Sequence, residues 1–343
     1  MDMIELLVAG LLCFLAAWSG TEAVRAYALR KNLLDQPNER SSHSVPTARG
    51  GGVAVIGSIL LVTVVLCAVD TSWSGLVGSV VPPLAAVAVV GWFDDRIGLP
   101  ASTRLVVHVL SATWLLACAF DPLATFGVEG RAASIAVYCA VALAIVWGLN
   151  LYNFMDGIDG LAGSQGVFLG AAGAFLLWRH GLDVPATLMI LSASATFGFL
   201  LHNWPPARIF MGDVGSGGLG FLFAAVPVAT LGSDGPSIHA WVILWGTFLC
   251  DATITLARRM LRGEKLAQAH RGHAYQVLAR RMGGHRPVTL WYCVINVVWL
   301  FPLAIVADSS LQAGRWACVL ALAPLCIAAW ILGGGRDSRE GCD

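Results

Sequence analysis

Charge is scarce in this chain: Asp, Glu, Lys and Arg make up 12% of its 343 residues, about half the share that is usual in soluble domains. Hydrophobic residues account for 57%. A water-soluble enzyme with so few charged residues cannot bury so large an apolar fraction of its side chains. The composition therefore predicts an integral membrane protein with many spans, not a soluble domain with one anchor.

Two further absences narrow the class of protein. The nine cysteines form no CxxC or similar spacing, and most lie inside apolar runs, so they imply no zinc or disulfide framework. Basic residues are missing ahead of the first apolar run, where Asp2 and Glu5 stand instead. Because a cleaved signal peptide begins with positive charge, we expect an uncleaved first helix.

Apolar runs of roughly 17–25 residues, the length that crosses a bilayer as an α-helix, recur along the chain. The sequence predicts an all-α polytopic membrane protein, one integral membrane domain over residues 1–343, with a basic cytoplasmic loop at 258–288. About eleven helices are expected, near residues 4–21, 51–69, 77–93, 104–120, 132–149, 161–178, 185–202, 214–232, 238–257, 289–307 and 315–333.

Lys and Arg are divided unevenly between the two sides of these helices. If the segment after the first helix is cytoplasmic, 18 of the 21 basic residues lie on the cytoplasmic side, and Arg131, Arg179 and Arg315 lie opposite. Cytoplasmic loops carry such an excess. The N-terminus is therefore predicted outside and the C-terminus in the cytoplasm, so that the polar motifs described next face the cytoplasm.

This orientation can be tested with a reporter that is active only outside the cytoplasm. Fused within residues 70–76, the reporter is expected to be active, because that loop follows the second predicted helix. Activity of the same reporter fused within residues 262–285 would overturn the topology.

Carboxylates gather at three predicted helix ends, where charge beside hydrocarbon is costly and indicates function. The densest stretch, Asn150–Leu161, holds Asn150, Asn153, Asp156 and Asp159, and its two glycines favour a looped backbone. The alternative is an ordinary polar turn.

The other two carboxylate sites flank helices. Asp94 and Asp95 end the third predicted helix, where a solvated helix end is the alternative. Asp213 precedes the glycine-rich start of the eighth predicted helix. Asp213 is either an N-cap or a metal ligand, and the free N–H groups of a helix start favour phosphate.

Basic residues accompany these carboxylates. Arg49 precedes three glycines that would let backbone approach an anionic ligand; a solvated positive-inside loop is equally consistent. The segment 258–286 holds eight Lys or Arg and the pattern His270-Arg271-Gly272-His273. Attraction to lipid headgroups and a zinc pair are the alternatives to binding a nucleotide diphosphate.

Oxygen ligands without thiolates suit Mg²⁺, with Mn²⁺ as a substitute. Mg²⁺ is usually held by one or two carboxylates together with substrate phosphates. Carboxylates beside cationic side chains at one membrane face therefore indicate a catalytic domain for phosphoryl transfer.

Four pieces of sequence resemble those of the polyprenyl-phosphate N-acetylhexosamine-1-phosphate transferases of the glycosyltransferase family 4 type. The resemblance covers residues 35 to about 280 and implies Mg²⁺-dependent transfer of a sugar-1-phosphate from a UDP-sugar to undecaprenyl or another polyprenyl phosphate, with release of UMP. The pieces are Asp94-Asp95, Asn150-x-x-Asn153-x-x-Asp156-Gly-Ile-Asp159-Gly-Leu161, Met211-Gly-Asp213-Val-Gly-Ser216 and His270–Gln276.

The same resemblance assigns roles to the polar residues. Asp213 and Asn153 look like metal ligands. The catalytic candidates are the pair Asp94 and Asp95, with Asp156 and Asp159 organising the metal and nucleotide. The candidates for binding substrate are Asn150, Asn153, Arg49 and the sugar-nucleotide clamp of His270, Arg271 and His273.

Two departures separate this chain from the phospho-N-acetylmuramoyl-pentapeptide branch. That branch resembles it less, because Gly98 stands where the branch has Lys, and His270-Arg271-Gly272-His273 replaces three successive histidines. The pattern is similar to enzymes that initiate O-antigen of lipopolysaccharide or other surface polysaccharides, with GlcNAc, FucNAc or QuiNAc as the donor sugar. The pentapeptide transferase remains the alternative.

The resemblance also implies a cellular location and binding partners. We expect a multi-pass protein of the bacterial cytoplasmic (inner) membrane, in contact with the lipid bilayer, a UDP-N-acetylhexosamine and the polyprenyl phosphate, and with no nucleic acid. A homodimer is compatible with the sequence. A transporter, whose charges would lie at the midplane, is disfavoured because the charges cluster at one face.

The expected mechanism follows from the charge of the acceptor. A phosphate monoester with a second pKa near 6 is mostly dianionic at pH 7, so a general base has little to remove. We expect direct attack of the lipid phosphate oxygen on the sugar-linked phosphorus. A covalent aspartyl-phosphate route is the rival.

Overall fold

The fold is that of a polytopic helical membrane protein, in a computed structural model that describes residues 2–36, 45–232, 235–264 and 272–335. Across those ranges ten helices are long and apolar enough to cross a membrane, and a bent pair brings the number to eleven if it is counted as one span. The predicted all-α architecture is confirmed. Which side of the membrane each terminus faces stays a prediction.

The spanning helices lie within a few residues of the predicted apolar runs. Residues 71–73 form a 3-10 turn, and residues 295–300 form a π-helical segment between two α-helices. The elements are α1 Met3–Arg30, β1 Leu34–Asp35, β2 Thr47–Arg49, α2 Gly52–Val69, α3 Ser74–Ile97, α4 Ala101–Ala119, α5 Pro122–Phe126, α6 Arg131–Phe154, α7 Leu161–Arg179, α8 Asp183–Asn203, β3 Ile209–Phe210, α9 Asp213–Thr230, α10 Ile238–Leu244, α11 Gly246–Leu261, α12 Ala274–Arg281, α13 His285–Val294, α14 Phe301–Ala307 and α15 Leu311–Ile331.

Helix α9 lies at the centre of the bundle, packed against α3 and α6 and almost wholly enclosed. Close approach to α3 depends on Gly91. A Cβ added at Gly91 would lie 2.6 Å from the carbonyl oxygen of Asp213, nearer than packed atoms tolerate. This glycine therefore brings the end of α3, with Asp94 and Asp95, against the start of α9.

Three short strands join the loops at the same end of the bundle. Strand β1 pairs antiparallel with β2, and β2 pairs parallel with β3, which places Arg49 opposite Phe210. The sequence did not predict this sheet, because strands of two or three residues are too short to show an alternating pattern.

The glycines after β2 serve packing within the protein. The N–H groups of Gly50 and Gly51 donate to the carbonyl oxygen of Phe210 at 3.1 and 3.0 Å, and Gly52 N–H donates to Met211 at 2.8 Å. The expectation that this backbone approaches an anionic ligand is wrong, because its donors are already used.

The predicted ninth helix, 238–257, is instead two helices, α10 and α11, bent by 75°. Buried side-chain amides form hydrogen bonds at the break between the two helices. Gln165 Nε2 donates to the Leu244 carbonyl at 3.3 Å, and Asn296 Nδ2 donates to Gln165 Oε1 at 2.6 Å. Polar partners of this kind are required where a helix breaks at membrane depth.

The segment 258–288, predicted as a basic loop, is partly helical. It contains the end of α11, the whole of α12 and the start of α13. Helix α12 packs against α13 and α11. The segment therefore includes a helix that leads back to the bundle, which matters for the placement of His273.

Candidate active site

Three predicted residues from distant parts of the chain meet at one point. Arg49 Nη2 lies 2.8 Å from Asp95 Oδ1 and 2.9 Å from Asp213 Oδ1. Burial opposes the charge on Arg49, but the Asp95 and Asp213 carboxylates outweigh it and raise the pKa of the guanidinium above its ordinary value. Arg49 therefore stays cationic and bridges α3 to α9.

A second guanidinium, Arg104 at the start of α4, completes the cluster. Its Nη1 lies 2.6 Å from Asp94 Oδ2 and 3.5 Å from Asp213 Oδ2. Sequence reasoning counted Arg104 only as a cytoplasmic charge. The available signal was its position ten residues after Asp94, at the start of the next helix.

The start of α9 is capped by another helix. Asp95 Oδ1 accepts the Asp213 N–H at 3.0 Å, and Asp95 Oδ2 accepts the Val214 N–H at 3.4 Å. The N-cap position belongs to Gly212, so the N-cap interpretation of Asp213 is wrong. Since Asp95 takes these two donors, they are also not free for phosphate, contrary to the expectation from the glycine-rich start.

Asp156 lies in the loop between α6 and α7, where the backbone is non-helical as the glycines predict. Within the described ranges no hydrogen bond from protein reaches its carboxylate. Burial raises the pKa of Asp156 well above its ordinary value; Arg49 acts in the opposite direction, and the Asp213 and Asp95 carboxylates raise it further.

The cluster carries excess negative charge. Its carboxylates are those of Asp94, Asp95, Asp156 and Asp213, and its cations are Arg49 and Arg104. Four carboxylates against two guanidiniums leave two formal negative charges uncompensated when all are ionised. Such an imbalance in a poorly solvated place is relieved by protonation or by a cation.

Both predicted asparagines line a cavity of about 360 Å³ beside Asp213. Asn153 Oδ1 accepts a hydrogen bond from Ser216 Oγ of α9 at 2.8 Å. Asn150 Nδ2 donates to the Val146 carbonyl of its own helix at 2.7 Å, which leaves its Oδ1 available to a ligand. The structure thus brings Asn150 and Asn153 to the same cavity as Asp213.

His273 reaches this cavity from the N-cap position of α12, and a buried carboxylate holds it there. Asp251 of α11, 2% exposed, accepts the Ala274 and Tyr275 N–H groups, both at 2.8 Å. Tyr292 OH donates to Asp251 Oδ2 at 2.9 Å. His273 Nδ1 lies 3.4 Å from Asp251 Oδ1, and the ring stacks on Phe154 with centroids 6.3 Å apart.

The sequence alone does not reveal this role of Asp251. Its partners lie 23 to 41 residues further along the chain, so no local pattern reveals them. The predicted clamp residues His270 and Arg271 lie outside the described residues.

Asp159 has a different set of partners from the other predicted carboxylates. Its Oδ2 accepts the Ala207 N–H at 3.0 Å, and its Oδ1 lies 3.2 Å from His285 Nδ1. The Asp159 carbonyl accepts a hydrogen bond from Thr289 Oγ1 at 2.9 Å. These contacts tie the loop to α13, which fits a positioning role beside Asp156.

The residues present suit a cation that arrives with phosphates. In the described part of the chain, no three His, Cys, Asp or Glu side chains are grouped so as to hold a metal ion by themselves. The uncompensated charge and the oxygen donors of Asp156, Asp213 and Asn153 nevertheless match Mg²⁺, which is commonly bound by one or two carboxylates plus substrate phosphates.

The carboxylates of the cluster lie in a part of the chain that matches a known protein family. The model of glycosyl transferase family 4 matches residues 76–231, which include Asp94, Asp95, Asp156 and Asp213. Arg49 and His273 lie outside the matched range.

Three similar proteins are named as sugar-phosphate transferases that act on lipid phosphates or as members of the muramoyl-pentapeptide branch. A decaprenyl-phosphate N-acetylglucosaminephosphotransferase of Mycobacterium tuberculosis is 30% identical over 341 residues, covering 90% of this chain and 83% of the relative. A probable undecaprenyl-phosphate N-acetylglucosaminyl 1-phosphate transferase of Bacillus subtilis is 25% identical, with 90% and 87% covered. A phospho-N-acetylmuramoyl-pentapeptide-transferase of Thermosynechococcus vestitus is 32% identical, with only 54% and 53% covered.

Proposed function

Because the chain belongs to glycosyl transferase family 4, among the polyprenyl-phosphate N-acetylhexosamine-1-phosphate transferases, we propose that it transfers an N-acetylhexosamine-1-phosphate from a UDP-sugar to a polyprenyl phosphate. The observation that carries the proposal is the meeting of Asp94, Asp95 and Asp213 with Arg49 and Arg104 beside one cavity. That arrangement suits a reaction between two anionic phosphates.

In the proposed reaction a phosphate oxygen of the lipid attacks the phosphorus that carries the sugar. A new P–O bond forms, the P–O bond to UMP breaks, and UMP leaves with the electron pair. Arg49 and Arg104 supply positive charge on two sides of the cluster, which lowers the repulsion between the two anions. When bound, Mg²⁺ would neutralise the diphosphate, held by Asp213 and Asn153 with Asp156 close by.

The contacts of Asp94 and Asp95 favour direct attack over a covalent route. Asp94 accepts a hydrogen bond from Leu99 N–H at 2.6 Å and one from Arg104 at 2.6 Å, on different oxygens. Both oxygens of Asp95 are engaged by the start of α9. A carboxylate so held is a poor nucleophile, and we assign this pair to positioning the reactants and the cation.

The proposal also includes the membrane face of the active site and the class of biosynthetic pathway. The positive-inside distribution supports an active site at the cytoplasmic face of the bacterial inner membrane, and Gly98 and the HRGH pattern support initiation of a lipid-linked surface polysaccharide such as O-antigen. The pentapeptide transferase is the second candidate, supported by the half-length match to a protein of that name.

An assay of the purified protein with radiolabelled donors tests this function. Undecaprenyl phosphate, Mg²⁺ and a UDP-N-acetylhexosamine are expected to give labelled lipid and an equal amount of UMP. A panel of UDP-GlcNAc, UDP-FucNAc, UDP-QuiNAc and UDP-muramoyl-pentapeptide identifies the donor. EDTA should abolish transfer, and added Mg²⁺ or Mn²⁺ should restore it.

Two results would contradict the proposal. Release of UDP in place of UMP would mean that the sugar–oxygen bond breaks, and no labelled lipid from any donor would reject the reaction. Labelled protein formed from the donor in the absence of lipid would reject direct attack in favour of the covalent route.

A further inference from the structure

His108 is a buried polar residue of α4 that belongs to none of the motifs. It is 8% exposed, and its Nδ1 has no hydrogen-bond partner among the described residues. One turn further along, Ser111 Oγ donates to the Pro83 carbonyl at 3.4 Å. An imidazole nitrogen left unpaired in a protein interior is costly, so His108 calls for an explanation.

His108 lines the same cavity as Asn150, Asn153 and Asp213. It lies four residues after Arg104, so both side chains project from one face of α4. The helix starts at Ala101, and with a rise of about 1.5 Å per residue His108 sits about one turn further from the carboxylate cluster than Arg104 does.

The cavity that His108 lines also has apolar walls. Val87, Leu105, Leu149 and Leu256 line it on different helices. A ligand that reaches His108 therefore combines an anionic group, for Arg104, with a part that tolerates hydrocarbon. A nucleotide sugar is polar along its whole length, whereas a polyprenyl phosphate has a phosphate joined directly to an isoprenoid chain.

We propose that His108 hydrogen-bonds a phosphate oxygen of the lipid acceptor, forming with Arg104 an acceptor-phosphate subsite on α4. This inference rests on the proposed function for the identity of the lipid. The His108 imidazole supplies the hydrogen bond through a ring N–H, and Arg104, which also pairs with Asp94 and Asp213, supplies positive charge. The subsite fixes the attacking oxygen at the boundary between the polar cluster and the apolar walls.

Steady-state kinetics of His108→Leu, with one substrate saturating and the other varied, test the subsite. We expect KM for undecaprenyl phosphate to rise about tenfold, the effect of one lost hydrogen bond to a charged group, and KM for the UDP-sugar to stay within about twofold. His108→Gln, which keeps a side-chain N–H donor, is expected to recover most of the loss. His239→Leu on α10, the same substitution at a histidine that does not line the cavity, is the control.

Several outcomes would overturn the subsite. A rise in KM for the UDP-sugar alone would place the contact on the donor diphosphate. Equal loss in His108→Gln and His108→Leu, with a matching fall in thermal stability, would make the role structural. Unchanged kinetics in both would remove it.

Calorimetric titration of the detergent-solubilised protein with undecaprenyl phosphate separates this inference from the proposed function. Wild-type protein that binds the lipid more tightly than His108→Leu, yet transfers no sugar phosphate, would keep the subsite and reject the reaction. Lipid that binds wild type and variant equally would reject the subsite whatever the activity.

Discussion

Asp213→Asn is expected to lower kcat by about 10²–10³-fold, the usual effect of removing one charge-stabilising group from an active site, without lowering the melting temperature. Among the described carboxylates, only that of Asp213 lies within ion-pair distance of both Arg49 and Arg104. Its carboxylate is also one of four in a cluster with excess negative charge, so its removal relieves repulsion. A site residue whose loss costs activity but not stability is the pattern expected of function.

The measurements are initial rates of labelled-lipid formation and thermal unfolding in detergent. Asp121→Asn is the matched control, because Asp121 caps the short helix α5 by accepting the Leu123 N–H at 2.9 Å and has no contact with the cluster. Asp213→Asn with at least a third of wild-type kcat would remove Asp213 from the chemistry. A melting temperature that falls with the activity would indicate a structural role.

Asp251→Leu is expected to destabilise the protein by about 3–5 kcal/mol, the range for breaking a buried charged network by removing one member, and to lower transfer strongly. The variant leaves the Ala274 and Tyr275 N–H groups and the Tyr292 hydroxyl without their acceptor. Since those groups position His273, KM for the UDP-sugar is expected to rise even in protein that remains folded.

Thr255→Val is the graded control for Asp251, because it removes only the 3.3 Å hydrogen bond from Thr255 Oγ1 to Asp251. We expect its melting temperature to lie close to that of wild type. Asp251→Asn, which keeps one acceptor oxygen, should fall between the two. An Asp251→Leu protein with wild-type stability and donor KM would show that α12 is held by other contacts.

The membrane fold was largely predictable from the sequence. Length and apolarity identify each span, since a bilayer imposes one helix length on every crossing. The bend between α10 and α11 was missed, because the amide of Gln165 that satisfies the Leu244 carbonyl lies 79 residues away. Hydropathy reports how long a helix is, and not whether distant polar groups permit it to break.

The composition of the site was predictable to a similar degree. Motifs identified Asp94, Asp95 and Asp213, and the structure joins them with Arg49. The motifs did not show which role each carboxylate has. Asp95 caps α9, and Asp213 faces the guanidiniums. Those roles follow from which way each helix end points, and that is fixed by packing at Gly91.

Arg104, His108 and Asp251 escaped sequence reasoning for a common reason. Each is a single polar residue within an apolar or unremarkable stretch, with no neighbouring glycine or second carboxylate to mark it. Their partners come from other helices, so only the assembled bundle shows what they do.

The small sheet has a consequence for how ligands enter. Arg49 stands at the end of β2, whose neighbours are β1 and β3, and the following backbone is hydrogen-bonded to Phe210 and Met211. The side chain therefore acts as a resident counter-ion that cannot swing away with a loop. A free cation competes with Arg49 for the Asp95 and Asp213 carboxylates, whereas a cation that arrives with a diphosphate brings replacement anions for the guanidinium. Loading of the site becomes an exchange of ion-pair partners, and metal and nucleotide are expected to raise each other's affinity, which nucleotide titrations with and without Mg²⁺ would reveal.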